Sequence, residues 1–321
     1  MGRDDNGRMN SAVRLSGIAR LGYLGCIRVS GADAATFLHS QLTNDFSRLD
    51  AGQARLAGFC SAKGRLQASF IAWKGADSDI ILACSADILD ATLKRLSMFV
   101  LRMKCRLSDA SAELPVFGVA GKQAAEMLQD CGVWGRRSTP DGTAVRLPNG
   151  TGHALGLWIP NRDGALPGSD DAPLSQDEWR WLQLLSGVPT IEAATVDLFV
   201  PQMINFELLG GVDFQKGCYP GQEVVARSQY RGTLKRRMFL FDCAASASAG
   251  QEIYSPADPG QPAGVVANAA FMPGHSGSTL LVELKLALLD AGPLHLGQAT
   301  GPILRRRELP YPVSTAEATA S

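Results

Sequence analysis

The run Lys216-Gly217-Cys218-Tyr219-Pro220-Gly221-Gln222-Glu223 constrains this chain more than any other segment, because it sets a thiol among two glycines and a proline, between a cation and a carboxylate. Glycine tolerates positive φ and close backbone approach, while Pro220 fixes its own φ and drives Tyr219 toward an extended conformation. The thiol of Cys218 is therefore expected on a bent, pre-shaped loop. From Gln222 the sequence reads as the opening turns of a helix, with Glu223 in the first turn and Arg227 further along. Lys216 and the positive helix end both favour thiolate over thiol, the form that acts as nucleophile or soft metal ligand. An isolated cysteine is ordinarily a small buried hydrophobe, the role expected of the other six cysteines.

A chain of 321 residues exceeds what one core usually serves, so two or more packed units are expected. Lysine plus arginine and aspartate plus glutamate each number 31, for zero formal charge. That balance argues against affinity for nucleic acid or anionic membrane carried as bulk charge. The seven cysteines form an odd set with no C-x-x-C, so neither a disulfide framework nor a structural zinc site is expected. The opening residues are polar, and no stretch approaches the roughly 18 apolar residues that span a bilayer. A cytoplasmic protein is expected.

Along the chain, 1–20 reads as a flexible start. Cys26–Ser30 alternates as a strand, a helix follows from Gly31, and Arg55–Phe59, Leu66–Trp73 and Ile80–Cys84 read as strands before a helix over Ala86–Phe99. A partner unit from about Pro115 to Pro160 holds a strand, a helix over Gly121–Cys131 and further strands. Strand and helix signals alternate irregularly, which favours α+β over a doubly wound sheet. Ser175-Gln176-Asp177-Glu178 forms a capping box for a helix through Leu185. The two lobes together take 21–236. Over 237–308 short strands separated by Gly/Pro/Ser turns predict a small β-barrel, and 309–321 reads as a disordered tail.

Pro201–Phe214 combines amides, aromatics and carboxylates, and either lines a pocket for a flat heterocycle or packs as a helix end and turn. Arg227, Arg231, Lys235, Arg236 and Arg237 place five cations within eleven residues. They form a solvated face, or a patch for a glutamate tail, a phosphate or an RNA backbone. The four histidines are scattered outside any metal-ligand spacing, and no metal site is expected. A Cys-His or Ser-His-Asp arrangement would have to be assembled from distant sequence.

The run Lys216 to Glu223 closely resembles the signature of the YgfZ family, which includes bacterial folate-binding proteins and a mitochondrial relative acting in iron–sulfur protein maturation. The likeness continues through Val224-Val225-Ala226-Arg227 to Arg231-Gly232 and Lys235-Arg236-Arg237. It includes Gly31–Ala34, Phe37–Asp45, the turn Lys63-Gly64-Arg65, Gly187-Val188-Pro189, Pro201-Gln202 and Asn205, in family order. The family is similar in fold to the T-protein of glycine cleavage, a tetrahydrofolate-dependent aminomethyltransferase. The resemblance therefore implies a T-protein-like folate-binding fold with ferredoxin-like α+β lobes and a C-terminal small β-barrel around a central folate pocket. By the same resemblance, Cys218 and Lys216 are the catalytic candidates, and Asn205, Glu207, Tyr219, Gln222, Glu223 and Arg227 the candidates for holding tetrahydrofolate. Two departures stand out. Ala68 and Ser69 occupy the place of T-protein's catalytic aspartate, and Leu185 or Ser186 the place of a second carboxylate that meets the pterin. Losing that carboxylate removes a charge-assisted hydrogen bond of roughly 1.5–3 kcal/mol.

The reading is a folate-fold accessory protein supporting assembly or repair of iron–sulfur enzymes, with an indirect effect on tRNA modification. Cys218 would take a transient cluster, a persulfide or a one-carbon adduct. Its expected partners are iron–sulfur client proteins or assembly machinery and a folate derivative, with no direct nucleic acid and no membrane. The alternatives are a tetrahydrofolate-dependent aminomethyl or methyl transferase, and an RNA-binding module resting on the Arg227–Arg237 patch.

Overall fold

Strand β1 (Gly17–Arg20) does not join the strand that follows it. Its partner lies a hundred residues on, so the start of the chain is built into the second lobe rather than the first. The structure, a computed structural model, describes residues 15–314 apart from 76–77, 151, 162–163, 165, 168–172, 231–233 and 275. The expected flexible start over 1–20 is thus a strand from Gly17, while 1–14 lie outside the described residues.

The first lobe holds β2 (Leu24–Ser30), α1 (Ala34–Gln41), β3 (Ala54–Cys60), β4 (Leu66–Lys74), β5 (Ile80–Ser85), α2 (Leu89–Ser97) and β6 (Arg106–Asp109). Its sheet runs β3-β4-β5-β2-β6, antiparallel throughout. Strands β3, β4 and β5 bury nearly every residue because both faces are covered. The second lobe comprises β7 (Phe117–Ala120), α3 (Gly121–Met127), β8 (Arg136–Ser138), β9 (Gly142–Gly150) and β10 (His153–Pro160), in the order β1-β7-β10-β9-β8. Helix α3 ends four residues before the predicted Cys131, as the chain turns at Leu128–Cys131.

Helix α4 (Gln176–Leu185) wedges between the second lobe and the barrel. Ser175 and Glu178 close the predicted capping box. Trp179 is fully buried on β7, where a Cβ at Gly118 would collide with its indole, so only glycine admits the ring. On the other side Trp181 donates Nε1–H to Thr279 Oγ1 of the barrel at 2.9 Å.

After α5 (Gln222–Tyr230) come β11 (Arg236–Cys243), β12 (Glu252–Tyr254), β13 (Gly264–Phe271), β14 (Ser278–Lys285), β15 (His295–Leu296) and β16 (Leu304–Arg307). They form one six-stranded sheet in the order β15-β12-β13-β14-β11-β16, curled until its edges meet at the bridge between His295 and Ile303. The interior holds Phe239, Phe241, Ile253, Val282 and Leu284, while Met238, Leu240 and Leu281 face outward into the main core shared with the lobes. The start of the predicted tail is ordered differently from expectation. Tyr311 packs on the main core and its hydroxyl donates to Gly187 O at 2.8 Å; 315–321 lie outside the described residues.

Candidate functional site

The loop that carries Cys218 is held against the turn between β3 and β4. Gly221 adopts φ +80, where a Cβ would collide with Ser61 O, and Gly64 adopts φ +70, where a Cβ would lie 2.8 Å from that of Val224. The two glycine turns therefore interlock backbone against backbone, which explains why both segments carry glycine. Ser61 Oγ donates to Asp197 Oδ1 at 2.8 Å and Arg65 donates to Leu198 O, fixing the turn from its other side.

From below, the loop rests on the segment after α1. Thr43 Oγ1 donates to Gly211 O at 2.5 Å, Asn44 Nδ2 to Gly210 O at 2.7 Å, and Asp213 N–H to Thr43 O at 2.9 Å. Lys216 is buried, and its Nζ donates to His39 O at 2.6 Å and to Gly217 O at 3.0 Å, 4.7 Å from the centre of the Tyr219 ring. Burial brings the Lys216 ammonium down to about 8, against the pull of Asp45, Asp213 and Cys218. Lys216 was expected to act mainly as a charge on the thiol. The structure turns it inward as a brace that ties α1 to the motif, because its ammonium finds its acceptors on backbone carbonyls. Tyr219 is buried beside it, and burial pushes its phenol well up. Between these two buried side chains Cys218 is exposed, whereas four of the other cysteines are buried and Cys105 and Cys131 half-buried.

Residues 9–137 match the family described as the GCVT N-terminal domain. The tRNA-modifying protein YgfZ of Edwardsiella ictaluri is 37% identical, the match covering 66% of this chain and 67% of that protein. The tRNA-modifying protein YgfZ of Vibrio vulnificus is 31% identical, with 74% of each chain covered. The chain belongs to the YgfZ family. Among solved structures, glycine cleavage system aminomethyltransferase T from Bartonella henselae aligns with a TM-score of 0.71 over 90% of this chain and 84% of its own, at 18% identity. The YgfZ chain thus has the T-protein fold.

Most of the remaining sequence candidates have partners of their own in the structure. Asn205 sits at φ 57, fully buried, and its Nδ2 donates to Met238 O at 2.8 Å. Glu207 forms a buried ion pair with Arg237, which also donates to Gln202 O at 3.0 Å. Burial pushes the Glu207 carboxyl up although Arg237 pulls it down. Pro201–Ile204 is a 3-10 turn, and the segment through Glu207 fastens the first lobe to β11 of the barrel. Glu223 and Arg227 pair with each other at 3.0 Å on the solvent face of α5, and Gln222 is half-buried at its start. Two more of the five clustered cations are likewise engaged, Arg236 with Glu283 and Arg237 with Glu207. Arg231 lies outside the described residues.

Where the lobes and barrel of this YgfZ-family protein meet, two cavities of about 20 Å³ each share Gln183, Val188 and Thr190. Each has room for about one water. The polar groups around them satisfy one another. Tyr23 donates to Gln183 Oε1 at 2.6 Å and accepts from Trp179, Arg180 pairs with Glu192 at 2.7 Å, and Asn268 exchanges two hydrogen bonds with the backbone of Thr190. Ser69 Oγ accepts from Ile191 N–H at 2.9 Å. In this conformation the side chains fit one another and not a pterin ring.

Sequence reasoning passed over His39 and Asp45 as functional residues. His39 Nδ1 lies 2.7 Å from Asp45 Oδ1, which also accepts from Ser47 N–H at 2.8 Å and Ser47 Oγ at 2.6 Å. Burial would raise the Asp45 carboxyl, but the Ser47 and His39 hydrogen bonds prevail and hold it at about 2. Both residues lie within Phe37–Asp45, a stretch that the family resemblance had marked without a role.

Proposed function

We propose that this YgfZ-family chain is an accessory protein for the assembly or repair of iron–sulfur enzymes in the cytoplasm, and that Cys218 is its working thiol. The observation that carries the reading is the contrast around Cys218: an exposed sulfur on a loop braced by buried Lys216 and Tyr219 and interlocked with the Gly64 turn. A thiol kept only for packing would be buried, as Cys26, Cys60, Cys84 and Cys243 are. The name of the curated relatives suggests tRNA modification. We assign that effect to cluster-dependent modifying enzymes, because Arg227, Arg236 and Arg237 are already paired with carboxylates.

The test is aconitase activity in a deletion strain grown under oxidative conditions. Wild-type chain is expected to restore it, and Cys218→Ala is expected to fail at equal protein level. Restoration by both would return Cys218 to a structural role and end the proposal. The transferase reading is weaker, since Ala68 and Ser69 supply no carboxylate beside the crevice. Kinship with the T-protein fold keeps tetrahydrofolate as a proposed ligand of a crevice that must open at Thr190 and Asn268. A calorimetric titration with 5-formyltetrahydrofolate is expected to show weak binding, on the order of 1 mM or poorer, equivalent to about 4 kcal/mol. Saturation in the micromolar range would refute the closed crevice.

A further inference from the structure

Residues 39 and 217 are far apart in sequence, yet a Cβ on Gly217 would lie 3.2 Å from His39 Nε2. The imidazole thus faces the backbone of the residue next to Cys218. Its other nitrogen is engaged by Asp45, and Ser47 fixes that carboxylate through both its N–H and its hydroxyl. A carboxylate that holds Nδ1 sets the tautomer and leaves Nε2 to exchange a proton, the order of roles found wherever a carboxylate orients a histidine beside a nucleophile. The imidazole is about one-quarter exposed, open to the same solvent as the thiol.

We infer that His39, oriented by Asp45, is the proton acceptor for Cys218 when that thiol acts as a nucleophile. The inference rests on Cys218 being the working thiol and is independent of which cargo it takes. When Cys218 attacks a soft electrophile, the S–H bond breaks and its proton moves to Nε2. The new bond forms between sulfur and the electrophile, and the leaving group departs with its electron pair. The imidazolium then rests against the Asp45 carboxylate until it returns the proton to solvent or to the leaving group. Gly217 is part of the device, since a side chain there would meet the ring.

The ionisable groups around His39 come from each segment packed against it. Asp45 contacts the ring directly, Arg48 lies 3.6 Å from the far oxygen of Asp45, and Lys216 holds the His39 carbonyl. Asp213 and Cys218 complete the motif side through their interaction with Lys216. Lys216, Arg48 and Asp45 all remain in His39→Gln, so loss of the imidazole is read there against a constant charge background.

The test is the rate of carbamidomethylation of Cys218 by iodoacetamide in the full chain, followed by mass spectrometry of the Cys218 peptide from pH 6 to pH 10. An ordinary thiol near 8.5 is about 3% ionised at pH 7, which bounds any gain from a proton acceptor at about 30-fold. Wild type is expected to react roughly 5- to 30-fold faster than His39→Gln at pH 7, with the ratio falling toward one by pH 10, where any thiol is ionised. Asp45→Asn is expected to slow the reaction in the same direction by a smaller factor. A ratio of one throughout, or one that stays constant with pH, overturns the inference, because a merely displaced loop alters access equally at all pH values. A second measurement leaves His39 intact. The imidazole titration of His39, followed by NMR, is expected to move when Cys218 is replaced in the exposed-site variant Cys218→Ser, and an unmoved curve overturns the inference. Failure of the wild-type chain to restore aconitase would instead reject the cluster reading and leave the proton transfer standing.

Discussion

Lys216 shows how one side chain can brace a loop and still oppose folding. Its ammonium makes two short hydrogen bonds to carbonyls, but burial lowers it from the ordinary 10.5 to about 8. The folded state therefore gives up its proton before the unfolded chain does. Below pH 8 both states are charged and the full cost of the buried cation is present; between pH 8 and 10.5 that cost fades, so stability rises with pH. Thermal melts of wild type and Lys216→Met at pH 7, 8, 9 and 10 are expected to show the difference shifting in favour of wild type across that window, by an amount on the order of a few degrees. A constant difference would show that Lys216 carries no such penalty. The sequence exposed the lysine and the thiol as a pair because they are two residues apart. It hid His39, since nothing local links that imidazole to Gly217, and only the packing of α1 under the motif brings them together.

Among the elements, those with a local cause were legible. The capping box at Ser175 and Glu178, the apolar runs of β3, β4 and β5, and the start of α5 at Gln222 are all where residue chemistry puts them. Helix α3 ran shorter than its pattern, and the two-residue β15 was not foreseen, because so short a strand exists only by pairing across a closing barrel. The loop and the turn it rests on behave as one unit, which gives a sharp expectation. Gly221→Ala meets both a positive φ and the Ser61 carbonyl, so it should cost more than about 1 kcal/mol in denaturant unfolding and also impair aconitase complementation with Cys218 intact. Wild-type stability in that variant would mean that the interlock is dispensable.

In the whole molecule, the joint between the first lobe and the barrel rests on Asn205, Glu207 and Arg237, residues that sequence reasoning offered in part to a ligand. Arg237→Leu strands the Glu207 carboxylate in a buried position and is expected to destabilise the protein by about 3–5 kcal/mol. The double variant Arg237→Leu with Glu207→Leu is expected to recover most of that loss, because no buried charge is then left alone. Equal destabilisation by the single and double variants in urea unfolding would contradict this account. By itself, the sequence determined the α+β lobes, the strand-rich C-terminal unit and the bent loop carrying Cys218, because periodicity, caps and glycine–proline chemistry act over a few residues. Only the tertiary structure decided that Lys216 turns inward, that Arg227, Arg236 and Arg237 pair with carboxylates, that the central crevice closes on its own side chains, and that His39 and Asp45 stand beside the motif. Those outcomes depend on desolvation and on contacts between segments tens to hundreds of residues apart, which local pattern does not encode.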